Sequence, residues 1–199
     1  QQFFFSSASL QYILRKFKAV HGNDFAKLPK LVTIQLNDTH PVISIPELIR
    51  LLGLEGVGFD DALKIACEVF NYTNHTIMQD ALEKWDMKFV RKVSADVAKI
   101  IVKIDRKFKA ELKSAKFPEE LRNQVDIIQN KTVHMAYLAC YCSKYINGVA
   151  QIHTEILKDD VLKCWYDMTP KKFQNKTNGI TQRRWIGLCN PELSALITE

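Results

Sequence analysis

No window of this 199-residue chain approaches eighteen consecutive apolar residues, so no membrane-spanning helix and no membrane partner are expected. Glycine is sparse, seven in all, and none falls in a P-loop, a dinucleotide fingerprint or a nucleophile elbow. That removes the common signatures of nucleotide cradling and of serine acyl transfer. Zinc spacing is also missing. The five cysteines (Cys67, Cys140, Cys142, Cys164, Cys189) are odd in number and unevenly placed, and Cys140-Tyr-Cys142 has no second pair. Reduced thiols in an intracellular protein are the expectation. Internal repeats and low-complexity tracts are absent. The chain opens on Gln1 rather than Met, so a piece of a longer protein is expected, and the lack of a signal peptide carries no weight.

What is present suits a folded domain. Hydrophobic residues make up 47% and charged residues 25%, enough core for one large domain or two small ones. The net charge of +6 has a local origin, since Lys84 to Arg122 holds twelve Lys/Arg against six Asp/Glu. Phe89, Val93, Val97, Ile100, Ile101, Ile104 and Phe108 recur there at threes and fours. That marks an amphipathic helix with its lysines outside, so no nucleic-acid partner is expected.

Along the chain, Leu10 to Phe17 reads as a helix ending near Gly22, and a linker runs through Pro29. Leu31-Val-Thr-Ile-Gln-Leu36 reads as a buried strand, because it is β-branched and apolar. Ser44 is placed to cap a helix from about Pro46 to Gly53, and a second helix spans Asp60 to Phe70. Tyr72 to Ile77 is extended, Met78 to Trp85 helical, and Met87 to Ser114 one long helix. A buried helix is expected over Thr132 to Tyr145, a strand over Val149 to Ile152, and a helix opening at His153-Thr154. Phe173 to Thr181 is a polar loop, and helical pieces at 185–188 and 191–197 follow it. The class is α/β, with short parallel strands among many helices.

Polar side chains concentrate in a few places. Asn37-Asp38 turns out of the first strand and Pro41 ends its ladder, which puts Asp38 and His40 at a strand's carboxyl end, where α/β sheets bind ligands. Asp38 and His40 could form an acid/base pair or half of a metal site, or the turn could merely satisfy backbone donors. His75, between Asn74 and Thr76, sits in an uncharged cluster suited to hydroxyl recognition. His134 and His153 read as core or capping residues. Asn175, Thr177, Asn178 and Arg183-Arg184 form a third cluster, and Asn190-Pro191 reads as a helix cap with proline in the first turn.

With these stretches in view, the chain resembles the glycogen/starch (α-glucan) phosphorylases over essentially its whole length. The words that carry the resemblance are Ile34-Gln-Leu-Asn-Asp-Thr-His-Pro41, Tyr72-Thr-Asn-His-Thr76, Asn147-Gly-Val-Ala150 and Phe173-Gln-Asn-Lys-Thr-Asn-Gly-Ile-Thr181. Arg183-Arg-Trp185 and Leu188-Cys-Asn-Pro191 follow in the same order.

The resemblance implies a helix-rich part of a Rossmann-like domain in a two-domain, GT-B type glycosyltransferase. Residues 1–189 would be the later part of the amino-terminal, sugar-side domain, and 190–199 the start of the crossing to the second. It implies release of glucose 1-phosphate from an α-1,4-glucan by inorganic phosphate, with pyridoxal phosphate as cofactor, in a cytoplasmic homodimer (or in a plastid, for a plant-like source). His75 and Asn190 would contact the glucose, with Asp38 and His40 lining the pocket beside it. The cofactor lysine belongs to the second domain, so no catalytic or cofactor-binding residue is expected here and the isolated piece should be inactive. Arg15-Lys16 falls where animal enzymes carry two arginines for an effector's phosphate. Lysine cannot reproduce the planar fork, so control by AMP is not expected. Two alternatives stand beside this reading: a truncated, non-catalytic glucan-binding or assembly module, and a glycosyltransferase that uses a nucleotide sugar.

Overall fold

The computed structural model describes all of residues 1–199. Helix α1 (Gln2–His21) buries Ser6, Leu10, Leu14 and Phe17, a stripe at helical spacing, and ends where Gly22 turns to φ 59° and returns its N–H to Lys18. The expected linker is instead a 3-10 turn (Phe25–Lys27) and a single turn α2 (Leu28–Leu31), so strand β1 starts late, at Ile34–Asn37. Helix α3 (Ser44–Leu54) takes in Ser44 as its first residue, and no side chain caps it. Its Glu47 is fully buried, paired with Arg50 and accepting the Ser7 hydroxyl, which ties α3 to α1. Helix α4 (Phe59–Val69) leads directly into β2 (Phe70–Thr73).

The next stretch departs from the sequence reading. Met78 to Trp85 is not a helix but a 3-10 turn (Gln79–Ala81) followed by β3 (Lys84–Asp86). The expected long helix is two, α5 (Met87–Val93) and α6 (Ala95–Ser114). Ser94 is extended between them, and its hydroxyl accepts the Val97 N–H as a cap. Val97, Ile101, Ile104 and Phe108 are buried as the spacing implied, whereas Phe89 is 55% exposed. A 3-10 stretch (Glu119–Gln124) precedes β4 (Ile128–Gln129) and β5 (Thr132–His134), and β5 pairs antiparallel with both β3 and β4. The buried helix α7 (Met135–Cys142) is therefore shorter than expected at both ends.

Strand β6 (Ile146–Gly148) lies three residues before the expected strand, and α8 (Gln151–Ile156) starts inside it. A π-type turn (Leu157–Val161), α9 (Lys163–Met168) and β7 (Phe173–Asn175) follow, the last taken from the expected loop. A second π-type turn (Arg183–Leu188) and α10 (Pro191–Thr198) close the chain.

The main sheet is parallel throughout, in the order β1-β2-β6-β7. Its residues alternate faces, as strand geometry requires. Leu36, Phe70, Tyr72, Ile146 and Phe173 are buried on one side against the single hydrophobic core. Gln35, Asn37, Asn71, Thr73, Asn147 and Gln174 occupy the other. Gln35 donates to the Thr73 hydroxyl at 2.8 Å, and that hydroxyl donates to Asn147 at 2.9 Å, a polar ladder across three strands. So β1 is an edge strand with one buried side chain, not the enclosed strand its composition suggested. The architecture is helix-rich α/β with a parallel sheet.

Candidate functional site

Four strands running the same way put four turns on one edge of the sheet. The turns are stitched together by the continuing backbone ladder. Asp38 N–H donates to Thr73 O at 2.9 Å, Asn74 N–H to Asn147 O at 3.0 Å, Lys176 N–H to Gly148 O at 3.2 Å and Asn178 N–H to Val149 O at 2.9 Å. Asp38, Asn74, Val149 and Lys176 therefore lie along a single carboxyl edge, the ligand-binding edge of parallel sheets.

At the β1 turn Asp38 has φ 65°, a left-handed conformation that its short polar side chain tolerates. Its Oδ2 lies 3.9 Å from His40 Nε2, and its Oδ1 is buried without a hydrogen-bond partner. A buried acceptor without a partner is uncommon in folded proteins. His40 is exposed, with Nδ1 at 3.6 Å from Glu83. Glu83 escaped the sequence reading because it lay in a stretch taken for helix. Its carboxylate accepts from Thr39 at 2.9 Å, from Trp85 Nε1 at 2.8 Å and from Gln2 at 3.2 Å. That arrangement fixes the wall behind Asp38 and His40.

At the β2 turn Asn74, not His75, does the structural work. Its amide donates to the Tyr72 hydroxyl at 3.0 Å and accepts the Thr76 N–H at 2.9 Å, and it is wholly buried. Burial raises the Tyr72 phenol well above its usual range, so the phenol stays neutral and accepts this bond. The locked turn leaves His75 exposed at the rim, one strand over from Asp38. Beyond β6 and β7, Thr154 Oγ1 sits 2.9 Å from both Ala150 O and Asn175 Oδ1, and Asn175 donates to Thr177 at 3.1 Å. Asn175 and Thr177, two members of the third polar cluster, thus hold the last turn in shape.

Asn190 lies apart from the edge. It caps α10, with Oδ1 accepting the Leu193 N–H at 3.1 Å, inside a closing segment that is almost entirely exposed. The structure brings Asp38, His40 and Glu83 together and sets His75 on the neighbouring turn, without bringing Asn190 to them. Arg15 borders a groove of about 640 Å³ between α1 and α3, next to Tyr12, Lys18 and Glu55, while Lys16 is exposed. Both cations lie over the Tyr12 ring, at 5.4 and 5.7 Å from its centroid. All five cysteines are free; Cys140 and Cys142 are buried and Cys189 is exposed. Burial pushes the Cys140 thiol up to about 12, away from nucleophilic chemistry.

Known proteins place this chain in one family. The carbohydrate phosphorylase family model matches residues 1–199. The chain is 44% identical to the potato (Solanum tuberosum) α-glucan phosphorylase H isozyme over 211 aligned residues, covering all of this chain and 25% of that protein. It is 43% identical to glycogen phosphorylase 2 of Dictyostelium discoideum, covering 20% of it, and 43% identical to maltodextrin phosphorylase of Streptococcus pneumoniae, covering 25%. The chain thus spans a fifth to a quarter of the length of these relatives, and all of it is matched. It belongs to the carbohydrate phosphorylase family.

Proposed function

We propose that this chain supplies the sugar-binding side of an α-1,4-glucan phosphorylase, in which inorganic phosphate releases glucose 1-phosphate from the end of a glucan. One observation carries the reading. Four of the six sequence words that carry the resemblance, at 34–41, 72–76, 147–150 and 173–181, run from the four parallel strands into the turns at their carboxyl ends, and the other two, at 183–185 and 188–191, lie in the exposed closing segment. Sequence that marks the family and geometry that marks a ligand edge coincide.

The chemistry offered there is hydroxyl recognition. Asp38 holds a buried acceptor without a partner, and His40 and His75 present imidazoles at the rim. Groups of this kind orient a sugar through its hydroxyls and reject analogues that lack them. Asn190 belongs to the same pocket once its segment folds over the edge. Residues 1–189 are the later part of a Rossmann-like sugar-side domain of GT-B type, and 190–199 begin the crossing to a second domain. The exposure of the closing segment supports that division. Five free thiols favour a reducing compartment, the cytoplasm, and the protein works as a homodimer.

Pyridoxal phosphate, the cofactor of the family, finds no fitting lysine in these residues. The partly buried lysines are already engaged: Lys172 with Cys140 O and Tyr141 O at 3.0 and 2.9 Å, and Lys18, Lys107, Lys109 and Lys158 in ion pairs. The cofactor and the phosphate are held by parts of the protein outside this chain. Residues here bind and orient the sugar, and the isolated 199-residue chain releases no glucose 1-phosphate.

The test is His75→Ala in the full-length protein, assayed for glucose 1-phosphate from maltoheptaose and phosphate. Loss of one sugar contact lowers kcat/KM by roughly 10-fold or more. An unaltered kcat/KM rejects the assignment of His75, and no phosphorolysis by the unsubstituted protein rejects the reading as a whole.

A further inference from the structure

Two buried polar residues open α8, and one of them holds a backbone amide of the ligand edge. His153 is only 8% exposed, and its Nδ1 accepts the N–H of Val149 at 3.0 Å. A ring nitrogen that accepts an N–H carries no proton of its own, so the imidazole proton sits on Nε2. That Nε2 is buried and has no partner among the 199 residues. The ring reaches the amide because Gly148 has no side chain. A Cβ there would stand 3.0 Å from His153 Nδ1 and 2.6 Å from Thr154 Oγ1.

The Val149 peptide is the junction of the edge. Its carbonyl accepts Asn178 N–H at 2.9 Å, and the preceding Gly148 carbonyl accepts Lys176 N–H at 3.2 Å, so the β7 turn hangs from it. One residue further back, Asn147 O accepts the Asn74 N–H at 3.0 Å, the amide next to His75. The Val149 N–H is taken by a side chain, His153, and not by a strand neighbour.

We infer that His153 is a positioning residue for phosphorolysis: by accepting the Val149 N–H it fixes the middle of the ligand edge, and through that the turn that carries His75. The inference rests on the proposed sugar-binding role of the edge. Misplacement of a site wall by about 1 Å can cost on the order of 100-fold in rate without touching a reacting atom.

The side-chain chemistry allows a sharp test, since asparagine places an acceptor near the position of Nδ1 and glutamine places a donor near that of Nε2. In the full-length protein loaded with pyridoxal phosphate, His153→Ala, His153→Asn and His153→Gln are compared with maltoheptaose and inorganic phosphate. Rates are taken per correctly folded site, well below each variant's unfolding temperature. Loss of roughly 10–100-fold in kcat is expected for His153→Ala and His153→Gln, with KM for phosphate within about threefold. His153→Asn is expected to recover to within about fivefold of the unsubstituted protein. Hydrogen exchange of the 146–152 segment should quicken in the Ala and Gln variants and not in the Asn variant.

Recovery by glutamine and not by asparagine overturns the proposal, because the Nε2 proton would then be the working atom. Variants that only unfold earlier while kcat and exchange stay unchanged also overturn it. If the alanine variant fails to fold, the asparagine–glutamine contrast decides. If the unsubstituted protein has no phosphorolysis, the sugar-side reading fails instead, and the exchange pattern alone shows whether His153 holds the Val149 amide.

Discussion

Glu83 is a carboxylate with three side-chain donors around it and an imidazole at 3.6 Å, and it connects parts of the chain that are far apart in sequence. Gln2 comes from α1, Thr39 from the Asp38 turn and Trp85 from β3, so one side chain coordinates three elements. Its side chain is 22% exposed, low enough for the loss of an acceptor to cost stability. Glu83→Gln keeps the shape but replaces one acceptor oxygen by a donor, which opposes donors already aimed at it. The expected cost is about 1–3 kcal/mol, measured as a shift in the urea midpoint with an unchanged slope. A midpoint equal to that of the unsubstituted chain would show that water serves these donors equally well. The strand-end residues legible in sequence were those in turns with their own chemistry, Asp38, His40 and His75. Glu83 was hidden because its partners lie 2 to 81 residues away, and no local pattern reports that.

At the scale of elements, the errors of the sequence reading cluster where tertiary pairing overrides propensity. Lys84 to Asp86 has helix-compatible residues, yet it forms a strand because β5 offers it an antiparallel partner. Thr132 to His134 was absorbed into a helix for the same reason in reverse. The four parallel strands did carry a readable signal. Ile-Gln-Leu-Asn, Phe-Asn-Tyr-Thr, Ile-Asn-Gly and Phe-Gln-Asn all alternate apolar and polar, which describes a sheet with one face of amides. Ser94 is a cap residue within a continuous apolar stripe, and its hydroxyl bond to Val97 divides that stripe into two helices.

The β3–β5 pairing has a pH consequence. His134 lies directly opposite Lys84 in the register and stacks on Tyr137 with ring centroids 5.0 Å apart. Burial lowers its pKa below the usual 6.5, and the neighbouring Lys84 charge lowers it further. The fold therefore favours neutral imidazole, and the unfolded chain takes up the proton more readily. This contribution to stability is complete above about pH 6.5 and is lost as pH falls through that value toward the lower folded pKa. Thermal midpoints recorded from roughly pH 7.5 down to 5 should fall more steeply for the parent chain than for His134→Asn. Parallel curves for the two proteins would refute the sign.

For the whole molecule, the distribution of buried residues separates a self-supporting body from its closing segment. The hydrophobic core runs from Leu10 to Phe173, and no residue beyond Phe173 belongs to it. Lys176 and Asn178 still contribute backbone bonds to the edge, through Gly148 O and Val149 O. From Ile180 onward no side chain is buried, while Ile180, Trp185, Leu188 and Leu196 are between 61% and 80% exposed. Large apolar side chains in that state add little to folding, but they favour association. Shortening the chain to residues 1–179 should therefore leave its thermal midpoint within about 2 °C, because for this size that shift equals roughly 1 kcal/mol or less. Light scattering at equal concentration should fall, since an apolar segment has been removed. A drop of more than about 5 °C would mean that the segment packs on the body and stabilises it. The result also bears on Asn190. If the body is unchanged without residues 180–199, any loss of glucan affinity in Asn190→Ala of the full-length protein reports a lost ligand contact and not the fold.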